Sequence, residues 1–321
     1  MQLSSRWSAL ILIAAAFPAA AQNYPERPIR IIVPFPPGGV VDLIGRDIAQ
    51  RFNARWGQAA IVDNRAGANG NIGVELAAKA KPDGYTLLVS PANIAISVPL
   101  YNKKLAYDLF KDLTPVTLLA TSPYILVTAP TLPVKSVADL VALARRKPEQ
   151  VIMASSGTGS AGHLAGELLQ NAAGIKLTHV PYKGQVGAMI DVMSGQCSMI
   201  FATVTTVTPH LSDGRIKVLA VATQKRSAIL PNVPTIAESG YPGFNIGAWH
   251  GFFTPAGTPP EINAKLHEEL MRFVKSPEAQ KTYQQQGVEL TGSTPEAFTK
   301  FLHSEVAQYE QAIRKANVQP E

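Results

Sequence analysis

The sequence predicts an α/β fold built from two similar units, and three observations carry that prediction. Short β-rich runs alternate with longer helical patterns, as expected of βαβ units and largely parallel sheets. One βαβαβ series ends near Val89, and a second of the same kind starts near Tyr124. The 321-residue length suits two domains at about 100–200 residues each.

Ile29–Val33 is a β-branched run stopped by Pro34, and it reads as the first strand. Beyond Pro36-Pro37-Gly38-Gly39, apolar Val41, Ile44, Ile48 and Phe52 recur near helical spacing and predict a helix over Val40–Trp56. Ala60–Val62 is a second strand and Ala66–Asn71 a glycine/asparagine loop. A helix over Ile72–Ala80 ends before the Pro82-Asp83-Gly84 turn, and Tyr85–Val89 is the third strand. In the second series Ile125–Thr128 is a strand, Ser136–Arg146 a helix with Ser136 as N-cap, and Val151–Ala154 a strand. The stretch Ser155 to Ser160 then opens a helix over Ala161–Ala173. A strand at Leu177–Val180, a helix at Val186–Ser194 and strands at Ser198–Ala202 and Ile216–Ala222 follow. From Arg226 to Pro242 the chain reads as a proline-rich connector holding one short helix. Ile246–Thr254 is the last strand, before helices at Pro259–Lys275, Pro277–Gln285 and Pro295–Lys315. Returning these to the first unit takes two chain crossings, near Leu119–Tyr124 and Val221–Lys225. The expected lobes are therefore 22–122 with 225–321, and 123–224.

Met1–Ala21 has the three parts of a secretory signal: Arg6, the apolar run Ala9–Phe17, and Ala19-Ala20-Ala21 for the peptidase. Cleavage after Ala21 leaves a mature, exported chain beginning at Gln22. Hydrophobic residues at 46% and charged ones at 16% exclude a disordered chain. The one cysteine, Cys197, excludes an intrachain disulfide framework and a thiolate zinc site, and a buried inert thiol is its expected state. No apolar stretch is long enough for a permanent membrane span. The formal net charge of +6 is dispersed, with no basic run and no basic stripe interleaved with aromatics. Nucleic acid is therefore not an expected partner, whereas small anions are favoured.

Two loops share one design: Phe35-Pro36-Pro37-Gly38-Gly39 and Ser155 to Ser160 each follow a strand, contain glycines and open a helix. Such a loop offers unpaired backbone N–H groups and the positive end of a helix dipole, which together bind anions without a lysine or arginine. In an open α/β sheet ligands sit beyond the carboxyl ends of strands, where both loops fall. The alternative is a pair of tight turns whose glycines only permit unusual backbone angles. Asp42, in the first helical turn, serves either those N–H groups or a ligand hydroxyl or amine.

Gly157, Gly159 and Gly162 match G-x-G-x-x-G, but the acidic residue required about 20 positions on is absent, and dinucleotide binding is set aside. No G-x-S-x-G elbow, G-x-x-x-x-G-K-[ST] loop or H-E-x-x-H pattern is present, and the six histidines lack metal-ligand spacing. His163 and Glu167, one turn apart, read as a side-chain pair. No cofactor, metal or catalytic residue is expected. Trp249 is either core or a wall for an apolar part of a ligand.

With these residues in place, the chain resembles the tripartite tricarboxylate transporter substrate-binding proteins, the Bug-type periplasmic receptors, over almost its whole mature length. The resemblance rests on motifs in family order: Tyr24-Pro25-Glu26-Arg27-Pro28, Val33-Pro34-Phe35-Pro36-Pro37-Gly38-Gly39 with Asp42, Asp63-Asn64-Arg65-Ala66-Gly67-Ala68-Asn69-Gly70 and Pro82-Asp83-Gly84-Tyr85. It continues through Ser155 to Ser160 with His163, His179-Val180-Pro181-Tyr182-Lys183-Gly184, Leu230-Pro231-Asn232-Val233-Pro234 and Pro255-Ala256-Gly257-Thr258-Pro259.

The resemblance implies a two-lobed periplasmic binding protein of the type II, Venus-flytrap kind, with Rossmann-like lobes joined by two crossover strands. It further implies a non-enzymatic, monomeric receptor in the periplasm that captures a small organic carboxylate and delivers it to an inner-membrane permease. The ligand residues it implies are Phe35, Gly38, Gly39 and Asp42 in one lobe and Ser155, Gly157, Thr158, Gly159 and Ser160 in the other. Ala92 with Asn93, and Ala202 with Thr203, are expected to line the cleft, with Tyr182, Trp249 and His163 as weaker candidates. Some relatives carry an acid where this chain has Ala202, which points away from a cationic ligand group and toward an apolar or aromatic part. A ligand sensor is a close variant of this reading. A secreted hydrolase using Ser160 and His163 is the alternative from a different class.

Overall fold

The computed structural model describes residues 24–101, 104–148, 150–316 and 318. The expected secretory signal and its cleavage site lie outside the described residues.

The first unit is β1 (Ile29–Val33), α1 (Val40–Trp56), β2 (Ala60–Asn64), α2 (Asn71–Ala78) and β3 (Thr86–Pro91), the βαβαβ series read from the sequence. Its strands are parallel, with β1 between β2 and β3. The chain continues through α3 (Asn93–Tyr101) into β4 (Leu113–Thr128), then α4 (Val137–Arg146), β5 (Ile152–Ser155), α5 (Ala161–Ala173), β6 (Thr178–Pro181), α6 (Gln185–Ser194), β7 (Met199–Thr203) and α7 (Val204–Val207). After β8 (Lys217–Val221) come β9 (Gly247–Pro255), α8 (Pro260–Lys275), α9 (Pro277–Gln285), β10 (Glu289–Leu290) and α10 (Pro295–Ala316). Local chemistry sets several of these ends. Ser136 and Ser160 cap α4 and α5 by accepting the N–H three residues on, and Gly57 and Gly174 end α1 and α5 in left-handed conformations.

The strands form one curled sheet in the order β2-β1-β3-β9-β4-β7-β5-β6, with β8 and β10 also pairing with β4. β4 is the seam: Leu113–Pro123 pair with β9, whereas Tyr124–Thr128 pair with β7 and β8. The pairing partner of β4 thus changes between Pro123 and Tyr124. Pro115 and Pro123 interrupt its strand pattern, so only Ile125–Thr128 is legible in the sequence. The ladder accommodates an irregular strand through register shifts at Pro115/Thr117 and Leu118/Ala120.

One expectation is corrected, and one element is additional to those expected. The connector carries turns and no helix: Val221 N donates to Pro234 O and Ile236 N to Val221 O, so it folds back onto β8 in extended contact. The helix α3 has no expected counterpart. Asn93, Ile94, Ala95, Ile96, Ser97 and Leu100 are all buried, and with apolar residues on nearly every side there is no polar stripe to mark the period.

One face of the sheet carries a core continuous across both halves, from α2 and α3 through α4, α5 and α10. The opposite face has two separate cores, one under α1, α8 and α9 and the other under α6 and α7.

Candidate functional site

Both glycine loops leave the carboxyl ends of parallel strands, β1 and β5, and each opens a helix. In the first, Gly38 takes φ +93° and Gly39 is the N-cap of α1 without a side-chain cap, so the helix starts with bare N–H groups. Asp42 is turned toward the loop. Its carboxylate is 2% exposed and accepts from Gly38 N (3.0 Å), Arg46 Nε (2.9 Å) and Asn64 Nδ2 (2.9 Å). Burial by itself would raise its pKa, but these donors outweigh it and hold the carboxyl below the usual carboxylate range. Asn64 also donates to Phe35 O at 3.0 Å, so the turn is tied at both ends. The donors left facing outward begin with the exposed Gly39, since the Gly38 N–H is occupied by Asp42.

The second loop is held from behind. Ser155 is fully buried; its Oγ accepts from Gly157 N (3.1 Å) and lies 2.7 Å from His179 Nε2. His163 stacks on His179 with ring centroids 3.8 Å apart, and its Nδ1 accepts from Gly159 N at 3.1 Å. Ser160 Oγ accepts from the backbone N–H of His163 and not from its ring, whose other nitrogen faces Glu167 at 3.5 Å. Ser160 and His163 thus do not form a nucleophile–base couple. Gly157 and Gly159 take φ +136° and +73°, and Thr158 between them is half-buried.

The segment between β2 and α2 joins the two loops. The Phe35 ring packs over Gly70, where an added Cβ would stand 3.0 Å from Cε2. One residue earlier, Asn69 Nδ2 donates to Gly159 O at 3.2 Å, and Asn69 Oδ1 accepts from Asn93 Nδ2. Phe35, Asn93 and the Gly157–Ser160 turn are therefore linked through Asn69 and Gly70. The sequence reading placed Asn69 in a family motif but not among the candidate site residues. Its signal was an asparagine among glycines, since asparagine enters the left-handed region more readily than most residues, and Asn69 has φ +53°.

The other candidates are placed differently. Ala92 is 2% exposed and donates its N–H to Trp249 O at 3.1 Å. Ala202 is fully buried in the core beneath α6 and α7, while Thr203 stays half-buried, its N–H and hydroxyl both directed at Gln185 Oε1 (3.0 and 2.9 Å). Tyr182 donates its backbone N–H to Ser155 O, but its hydroxyl points away from the loop, to Asp191 and to Cys197 Sγ at 3.4 Å. Hydrogen bonding to Asp191, then to Cys197, pushes the phenol pKa up. Trp249 is core: 2% exposed, edge-on to Phe298 and Phe301, with Nε1 donating to Glu305 of α10 at 2.7 Å. A cavity of about 310 Å³ lies elsewhere, between the start of α4, β8 and the connector. Among the described residues no group of three or more His, Cys, Asp or Glu is placed to hold a metal ion, and no helix is long and apolar enough to cross a membrane.

Comparison with known proteins gives a consistent picture. The sequence profile of the tripartite tricarboxylate transporter family receptor matches residues 44–318. Protein BugT of Bordetella pertussis is 35% identical over 301 residues, covering 94% of this chain and 92% of its own. The R. palustris protein Rpa4515, solved with adipate, superposes with a TM-score of 0.88 at 35% identity, over 93% of this chain and all of that one. MatC from Rhodopseudomonas palustris, solved with bound malate, gives 0.83 at 30% identity over 90% of this chain and all of that one.

Proposed function

The chain belongs to the tripartite tricarboxylate transporter receptor family, and on that premise we propose that it is a two-lobed periplasmic receptor that captures a small organic carboxylate and presents it to the membrane permease. One observation carries this reading: two strand-to-helix glycine turns, each held in shape by a buried side chain, are linked through Asn69 and Gly70 on either side of the β4 seam. A carboxylate placed between them meets main-chain donors and the N-terminal ends of α1 and α5, with no cation needed. The adipate and malate bound by the two solved relatives are dicarboxylates, so dicarboxylates are the ligand class to test first.

The ligand set we assign is Gly39 and Phe35 from the first loop and Thr158 from the second, with Asn93 and Thr203 at the margins. Gly38, Asp42, Ser155, Gly157, Gly159, Ser160 and His163 act one step back, holding those loops in shape. We place the lobe boundary at Pro123/Tyr124 and the return near Ile246/Gly247, because the connector residues Pro234–Ile236 are bonded to β8. The exported state and the secretory signal belong to the same reading, as does action without chemistry of its own.

Titration calorimetry with adipate and with malate, followed by recovery of the ligand, tests it. Saturable one-site binding with the acid recovered unchanged is the expected result. Turnover of the acid that disappears in Ser160→Ala would replace the receptor reading with a hydrolase.

A further inference from the structure

Asn69 belongs to neither glycine turn, yet its side chain ties the two halves together. Nδ2 donates to Gly159 O at 3.2 Å, and Oδ1 accepts from Asn93 Nδ2 at the start of α3. The sense of this chain is fixed by chemistry. A carbonyl oxygen only accepts, so the Asn69 nitrogen must face Gly159 and its oxygen must face Asn93. The backbone at Asn69 is left-handed, φ 53° and ψ 32°, following Ala68 at φ 47°. Two successive non-glycine residues in that region carry strain, and the turn holds the amide out toward the second half. Gly159 comes as near as a glycine can: a Cβ there would stand 2.2 Å from Leu100 Cδ2 of α3. The second loop therefore rests on the first half at Asn69 and Leu100.

We propose that Asn69 is a latch, an affinity-determining residue that stabilises the closed arrangement of the lobes without touching the ligand. The inference rests on the receptor reading above. A bond made only when the halves meet favours the closed state whatever is bound, and that preference reappears in the affinity for every ligand that binds the closed form. A residue that touches the ligand would instead discriminate between ligands.

Asn69→Gly isolates the side chain, because glycine adopts the left-handed backbone freely, whereas alanine would add strain. The expected result is a loss of about five- to tenfold in affinity for adipate and malate alike, the worth of a neutral hydrogen bond, carried by faster dissociation. Small-angle scattering of the unliganded variant should show a larger radius of gyration than the unliganded parent protein. Unchanged affinity in Asn69→Gly, or a loss that differs between the two acids, overturns the latch. Should the parent protein bind neither acid, the receptor reading falls by itself. The latch is then judged from scattering alone, where identical radii for the two unliganded proteins overturn it.

Discussion

Single residues in this protein show how burial decides a role. Asp42 lies in the first turn of a helix, where an acid is favoured by the dipole alone, but its three donors make it a clasp for the turn before it. His250 is the opposite case. It is 4% exposed in the middle of β9, and neither ring nitrogen has a hydrogen-bond partner among the described residues. Burial alone pushes its pKa down to about 4 from 6.5. The unfolded chain therefore binds the proton more readily between those values, and the folded state loses stability as pH falls from 6.5 toward 4. A shift of that size corresponds to about 3 kcal/mol. Chemical denaturation across this interval should show the decline, and His250→Leu should flatten it while raising stability at neutral pH, since the apolar side chain leaves no unpaired nitrogen. A profile unchanged by the substitution would assign the acid sensitivity to other groups.

At the scale of elements, the first loop makes the sharpest prediction. Gly39 has φ −83° and ψ 167°, an extended conformation open to any residue, and a Cβ built there meets nothing within 4 Å. Gly39→Val should therefore leave the melting temperature nearly unchanged, yet lower dicarboxylate affinity by at least about tenfold, by blocking approach to the bare N–H groups. Calorimetry beside a thermal melt separates the two effects, and unaltered binding would remove this loop from the site. Elements of this kind were legible in the sequence because a proline-stopped strand, a glycine turn and a 3.6-residue apolar period fall in succession; the span Val40–Trp56 emerges unchanged in the structure. Elements without contrast were not. The helix α3 is buried on nearly all sides, and β4 contains prolines where a strand reading stops. The site was half legible for the same reason. Glycine turns announce themselves locally, but the Asn69–Gly159 bond spans 90 positions and depends on how two units pack. Ala202 was expected as lining from its loop position, and Trp249 as either core or wall; both are buried by tertiary packing.

For the whole molecule, the seam in β4 and the helix α10 set what can move. α10 reaches the first half through Phe298 against Gly251 and Phe253, and its core extends to α5 in the second. Its Glu305 is half-buried, and the desolvation raises the carboxyl pKa; Trp249 anchors it. One face of the sheet shares a continuous core, so on the receptor reading proposed above closure is a bending about that face, and ligand held between the turns shifts the equilibrium toward it. Adipate at one hundred times its dissociation constant should therefore stabilise the fold by about 2.7 kcal/mol, read as a shift in the denaturation midpoint. A midpoint that does not move at saturation would mean that the acid binds folded and unfolded chains equally.

The sulfur chemistry of the chain has a practical corollary. Its lone thiol, at Cys197, is 3% exposed and covered by the Tyr182 hydroxyl, so a maleimide dye has nothing to attack on the native surface. Exposed Lys79 and Lys147, one on each half, can be exchanged for cysteine to carry a fluorophore pair without first removing a native sulfhydryl. Opening and shutting can then be watched on individual molecules in solution.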